Sequence, residues 1–230
     1  MTKRLVLFDI DETMISSDGA GRKAFARVLK REYDISEEIG HINMSGKTDP
    51  QILKEIFEFA DKPHLHTEEN LQSFYSHYLK ALQEEIKVAT TYIIHAGIPA
   101  LLARLATASG VFLGLVTGNI EAGARMKLDR VRLNDYFPIG AYGSDSANRL
   151  DLPAIAVDRA NDHFAQSFEK SEVVVIGDSV NDILCAQHYG AKCIAVNTGK
   201  TPKSELAALC PEYLFDDLSK TEEVTSAIYA

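Results

Sequence analysis

Four short apolar runs, Leu5 to Phe8, Val111 to Val116, Val173 to Ile176 and Cys193 to Val196, constrain the fold more than any other feature of the chain. Each is rich in Val, Ile or Leu and lacks polar alternation, the pattern of strands buried on both faces. Helical patterns lie among them, over Ile98 to Thr107, Pro153 to Phe168 and Ile183 to Tyr189. Strand alternating with helix predicts a parallel sheet covered on both sides, a doubly wound, Rossmann-like α/β domain. At 230 residues the chain can hold one large domain or one domain plus an insert.

An insert is what the stretch 16–91 suggests, because it has no comparable strand run and reads as helices throughout. Leu71, Phe74, Tyr75, Tyr78, Leu79, Leu82 and Ile86 follow the three-and-four spacing of one helix face. Thr67 is the expected N-cap of that helix, with Glu68 and Glu69 in its first turn. Asp49-Pro50 reads as another helix start, with Asp49 as cap and Pro50 at the first helical position. The expected division is a core of residues 1–15 and 92–230, interrupted by a helical module over 16–91. Gly19-Ala20-Gly21-Arg22-Lys23-Ala24 matches a dinucleotide-binding fingerprint, but no strand immediately precedes it, so it reads as a hinge into the module's first helix. His64-Leu65-His66 reads as an exposed loop, since no third metal ligand lies near.

Acidic side chains outnumber basic ones, 33 to 24, for a formal net charge of -9. Such a surface repels phosphate backbones and anionic lipid, which argues against nucleic acid or a membrane surface as the main partner. A small anionic substrate stays open. Cys185, Cys193 and Cys210 show no CxxC spacing, which disfavours a thiolate metal site or a disulfide framework and suits a reducing compartment. The apolar stretch after Arg4 ends at Asp9, too short for a signal-peptide core, and no segment approaches the roughly 20 apolar residues of a membrane span. A cytoplasmic protein is expected.

In a parallel α/β sheet ligands bind at the carboxyl ends of the strands. After the first run stands Asp9-Ile10-Asp11-Glu12-Thr13, after the second Thr117-Gly118-Asn119, and after the third Gly177-Asp178-Ser179-Val180-Asn181-Asp182. Asp9 and Asp11, two residues apart, would point the same way and repel if strand geometry persisted. With Asp178 and Asp182 they would place four carboxylates within reach of one point, an all-oxygen set suited to Mg²⁺. One carboxylate in such a site can serve as a nucleophile and form an aspartyl-phosphate, while a hydroxyl, backbone N–H groups and a cation hold the phosphoryl group.

These three dispersed motifs, in this order, resemble those of haloacid dehalogenase superfamily phosphatases of the phosphoglycolate-phosphatase-like type. The resemblance implies Asp9 as nucleophile and Asp11 as the general acid that protonates the leaving oxygen and then activates water. It implies Mg²⁺ held by Asp9, the Asp11 backbone carbonyl and Asp178, with Asp182 in support, and phosphate bound by Thr117, Gly118 and Asn119. Family members that cleave carbon–halogen bonds lack a carboxylate at the position of Asp11, so a phosphate ester is the implied substrate: phosphoglycolate, a sugar phosphate or another small monoester. The module over 16–91 resembles the family's cap, and Lys47, in the polar turn Ser45-Gly46-Lys47-Thr48-Asp49, is a candidate contact for an anionic part of the substrate.

Two positions depart from the family pattern. Its third motif is a lysine, where the best-placed basic residue here is Arg149, with Arg125, Lys127, Arg130 and Arg132 as rivals. An arginine can still fork onto phosphoryl oxygens or onto Asp9. Glu12 stands where glycine is common, which implies no need for positive φ there and a side chain facing solvent. A phosphomutase on the same scaffold is the alternative enzyme, and a phosphoaspartate receiver switch the alternative from another class.

Overall fold

The computed structural model describes residues 3–36 and 38–230. All four apolar runs are strands: β1 (Arg4–Phe8), β4 (Val111–Thr117), β6 (Val173–Gly177) and β7 (Lys192–Val196). Two more, β5 (Ile139–Tyr142) and β8 (Tyr213–Phe215), complete a sheet in the order β5-β4-β1-β6-β7-β8, with every pair parallel. Both missed strands are short edge elements, and Gly140 breaks up the apolar pattern of β5. Beyond the sheet, β2 (Ile15–Ser17) and β3 (Tyr92–Ile94) form a separate antiparallel pair.

Alternate side chains of β1 feed two cores. Val6 and Phe8 pack on one face with Leu115, Ile176 and the helices α4 (Ile98–Thr107), α5 (Glu121–Asp129) and α9 (Thr221–Tyr229). Leu5 and Leu7 pack on the other with Val175, Cys193 and the helices α6 (Leu152–Phe164), α7 (Val180–Tyr189) and α8 (Lys203–Ala208). Strands buried on both sides need no polar alternation, which is why they read as continuous runs.

Between β2 and β3 the chain builds a third core from α1 (Ala20–Tyr33), α2 (Asp49–Phe59) and α3 (Glu68–Val88). Phe25 packs edge-on to Phe74 and Tyr78, with ring centroids 4.9 and 4.7 Å apart. Thr67 caps α3 as expected, accepting from the Asn70 N–H. Contrary to expectation a strand does precede the glycine-rich stretch, since β2 ends at Ser17; it belongs to the antiparallel pair and not to the parallel sheet, and Gly19, with φ of 69°, turns the chain from it into α1.

The cap of α2 is Thr48 and not Asp49. The Thr48 hydroxyl accepts from the Gln51 N–H and donates to the Ala147 carbonyl, so one group caps a module helix and anchors it to the sheet domain. Pro50 then occupies the second helical position. This frees the Asp49 carboxylate for another use.

Glu12 also departs from expectation. Its φ is 60°, in the left-handed region, because the chain reverses immediately after Asp11: the Glu12 N–H donates to the Ile15 carbonyl, and the Met14 and Ile15 N–H groups donate to the Ile10 carbonyl. Its carboxylate accepts from the Ser16 hydroxyl and lies 3.7 Å from His95 Nε2, partly shielded from solvent. These contacts hold a side chain where the turn would favour glycine.

Candidate active site

The order β4-β1-β6 places the reversal of strand order at β1 and β6, and the ends of these two strands present Asp9 and Asp178. Both side chains are buried, and with Asp182 they place carboxylate oxygens within 4.8 Å of one another. Asp178 Oδ1 accepts from the Thr13 hydroxyl at 2.8 Å. Asp182, in the first turn of α7, accepts from the Ser179 N–H at 3.0 Å and the Ser179 hydroxyl at 2.7 Å, and its other oxygen from Arg149. The oxygens of Asp182 are therefore engaged behind the site, leaving Asp9 and Asp178 as the direct donors.

Asp11 does not join that cluster with its carboxylate. The turn at Glu12 ends strand geometry after Phe8, and Asp11 Oδ2 instead accepts from Asn119 Nδ2 at 2.8 Å and Lys127 Nζ at 2.6 Å. Three carboxylates, not four, converge on one point, and any metal role for Asp11 falls to its backbone carbonyl.

Arg149, in the short turn before α6, is 5% exposed and bridges Asp182 and Asp9, at 3.1 Å from Asp9 Oδ1. Its Nε is buried without a hydrogen-bond partner among the described residues. Thr117 ends β4 fully buried, its Oγ1 accepting from Asn119 Nδ2 at 2.8 Å, which leaves the hydroxyl proton free to donate. Gly118 lies so close to Lys47 that a β-carbon would overlap the Lys47 carbonyl oxygen, and its own carbonyl accepts from the Asp49 N–H at 2.8 Å. Lys47 is on the cavity wall, but its ammonium pairs with Glu55.

Two residues of this site carry no role in the sequence reading. Lys127, 3% exposed, was visible only as a rival to Arg149; its burial is foreshadowed by the three-and-four spacing it shares with Gly123, Ala124 and Leu128. Asp49, 6% exposed, reads from sequence as a helix cap and instead accepts from the Ile120 N–H at 2.8 Å, on the core side.

Burial pushes the Asp9 carboxyl up to about 7, with repulsion from Asp182 adding to it and Arg149 opposing it. Burial, then Asp182 and Asp9, hold Asp178 well above the usual carboxylate range. Neutral or half-neutral carboxylates crowded together are what a cation site looks like before its charge arrives. Among the described residues Arg149 and Lys127 form the ion pairs with this set, so Asp9, Asp11, Asp178 and Asp182, once all ionised, leave an excess of two negative charges that a divalent cation matches. The residues therefore fit Mg²⁺, a hard ion that takes oxygen ligands and keeps open positions. Asp9, Asp11, Asp178, Arg149 and Lys127 line one cavity of about 210 Å³, roofed by the module, with Asp182 behind its wall.

A model of haloacid dehalogenase-like hydrolases matches residues 6–196. The chain belongs to that family. A phosphoglycolate phosphatase of Photorhabdus laumondii is 24% identical over 238 residues, covering 95% of this chain and 92% of the relative. A Clostridium perfringens protein with the provisional name pyrophosphatase PpaX is 25% identical over 214 residues, covering 93% of this chain and 92% of the relative. Among solved structures, CbbY from Rhodobacter sphaeroides in complex with phosphate superposes with a TM-score of 0.72 at 14% identity, over 95% of this chain and 96% of that one. At that identity the likeness is one of fold. It agrees with the six-stranded parallel sheet and its two helical layers.

Proposed function

We propose that this hydrolase is a Mg²⁺-dependent phosphatase of a small phosphate monoester, a sugar phosphate or phosphoglycolate-like compound, working through phosphorylated Asp9. One observation carries the reading: Asp9, Thr117, Arg149 and Asp178 line the same cavity as Asp11, which Lys127 and Asn119 hold to one side. Arg149 and the Thr117 hydroxyl bind phosphoryl oxygens and orient the phosphorus toward Asp9. An Asp9 oxygen attacks phosphorus, the ester P–O bond breaks, and the leaving oxygen takes a proton from Asp11. Asp11, now a carboxylate, takes a proton from water as that water attacks the phosphorus of phospho-Asp9; the Asp9 oxygen leaves, and inorganic phosphate is released. Asp9, Asp178 and the Asp11 carbonyl would hold Mg²⁺, which would supply positive charge to offset that of the phosphoryl group.

The module between β2 and β3 acts in this reading as a cap that excludes bulk water and selects the leaving group. The cavity suits a small metabolite and the acidic surface disfavours polyanions, which fits a cytoplasmic metabolic enzyme. Phosphate release from an aryl phosphate with Mg²⁺, by wild type and by Asp9→Asn, tests the proposal. Loss of at least about a thousandfold in kcat is expected for the variant. Full activity of Asp9→Asn, or isomerisation of a sugar phosphate without phosphate release, overturns it.

A further inference from the structure

Asp49 is a buried carboxylate that the mechanism above does not use. It opens α2 in the module, its N–H donates to the Gly118 carbonyl, and its Oδ2 accepts from the Ile120 N–H, both in the loop that follows β4. No other donor reaches this carboxylate among the described residues, although it is 6% exposed and lines the cavity. Burial pushes the carboxyl up to about 6 against the pull of Lys127, so it is an anion above that pH. A buried carboxylate that lines a cavity, with acceptor capacity the protein leaves unused, is placed to accept from a donor that enters there.

The surroundings say which donor. Lys127 is already engaged by Asp11 and Asn119, so its charge is shared before a substrate enters. Tyr78 lines the same cavity and carries a hydroxyl, and Phe25 and Ile52 supply apolar wall. Together these groups offer an acceptor, a hydroxyl and a carbon surface. A carboxylate here would meet Asp49 and Asp11, with Lys127 already shared, Arg22 held on the Ile39 and Ile42 carbonyls and Lys47 paired with Glu55, and repulsion of that kind is how sites reject wrong partners.

We propose that Asp49 accepts a hydrogen bond from a hydroxyl of the substrate's organic half, so that this enzyme acts on phosphate esters of neutral, hydroxylated alcohols in preference to those of hydroxy acids. The inference rests on the phosphatase reading and narrows it. It assigns the Asp49 side chain a second partner besides Ile120, one that enters with the substrate.

A matched pair of substrates tests it. Glycerol phosphate and phosphoglycerate differ in whether a hydroxymethyl or a carboxylate ends the leaving group. At about pH 8, where Asp49 is ionised, wild type should favour glycerol phosphate by at least about a hundredfold in kcat/KM. Asp49→Asn can keep its amide oxygen on the Ile120 N–H and turn its NH₂ donor to the cavity, shifting the ratio at least about tenfold toward phosphoglycerate. A role confined to capping Ile120 would lower both substrates alike and leave the ratio unmoved. A wild-type preference for phosphoglycerate, or an unmoved ratio, overturns this inference; if Asp9-dependent hydrolysis of an aryl phosphate persists, the phosphatase reading survives it. Absence of turnover on every ester overturns both.

Discussion

Lys127 Nζ lies 2.6 Å from Asp11 Oδ2 and 2.7 Å from Asn119 Oδ1, so a lysine of α5 fixes the direction of a carboxylate that follows β1. The same triangle keeps Asp11 out of the cluster formed by Asp9, Asp178 and Asp182. A general acid must face the leaving oxygen and not the attacking one, and this pairing imposes that separation.

Lys127→Met keeps the length and apolar stem of the side chain but removes the ammonium. Among the described residues Asp11 then keeps its bond from Asn119 and a long one from Ser17, and loses the ammonium that fixes its direction. The expected result is about a ten- to hundredfold fall in kcat, on the order of what groups that orient a catalytic side chain contribute, with KM for an aryl phosphate little changed. Unchanged kcat would mean that Asp11 finds its position without Lys127.

Arg149 makes a different kind of contribution, because among the described residues it is the one cation in contact with both Asp9 and Asp182. Removing one partner from a buried ionic network costs about 3–5 kcal/mol. Arg149→Met should therefore destabilise the metal-free protein by about that amount in urea unfolding, and added Mg²⁺ should recover part of the loss by mass action. Arg149→Lys should retain more stability and more activity than Arg149→Met, since it restores one charge without the fork. Equal stability of all three proteins would contradict the network.

The strands flanking Asp9 and Asp178 were legible because parallel strands buried on both faces leave an uninterrupted apolar trace, and the residues after them fall on the functional rim by topology alone. β2, β3 and β8 left no such trace at three residues each. Asp49 was hidden for a chemical reason: an aspartate before proline suits a helix start equally well, and only the structure shows Thr48 taking that role. Glu12 was misread because positive φ was judged from residue type, whereas three backbone hydrogen bonds of the turn impose it. Lys127 could have been found by asking why a charged residue shares a helix face with Ala124 and Leu128.

Metal affinity should depend on pH with a definite sign. Burial and Asp182 raise Asp9 to about 7, and Asp178 is raised as well, so protons compete for both direct donors near neutrality. Mg²⁺ requires the deprotonated forms, so affinity falls as pH drops through 7, by about tenfold per unit for each proton displaced. Titration calorimetry at pH 6 and pH 8 should show at least about a tenfold weaker dissociation constant at pH 6, with proton release on binding that shrinks in Asp9→Asn. A flat affinity across that range would show that neither carboxylate holds a proton before the metal binds.

Gly118 offers a test of how the module seats on the sheet domain. A β-carbon there would overlap the Lys47 carbonyl oxygen, next to the Gly118 carbonyl that accepts from Asp49. Backbone cannot yield as a flexible side chain does, so Gly118→Ala must lift the 47–49 segment away from the site while β4 keeps its pairing with β1 and β5. The expected outcome is at least about a tenfold fall in kcat/KM on an aryl phosphate, with faster proteolysis near Lys47 and a melting temperature lowered by only a few degrees. Gly40→Ala is the matched control, because a β-carbon at Gly40 meets nothing within 4 Å and the same assays should not move. If Gly118→Ala keeps wild-type kinetics, the close seat of the module loop on Gly118 is not required for turnover, and the cavity can work without that roof.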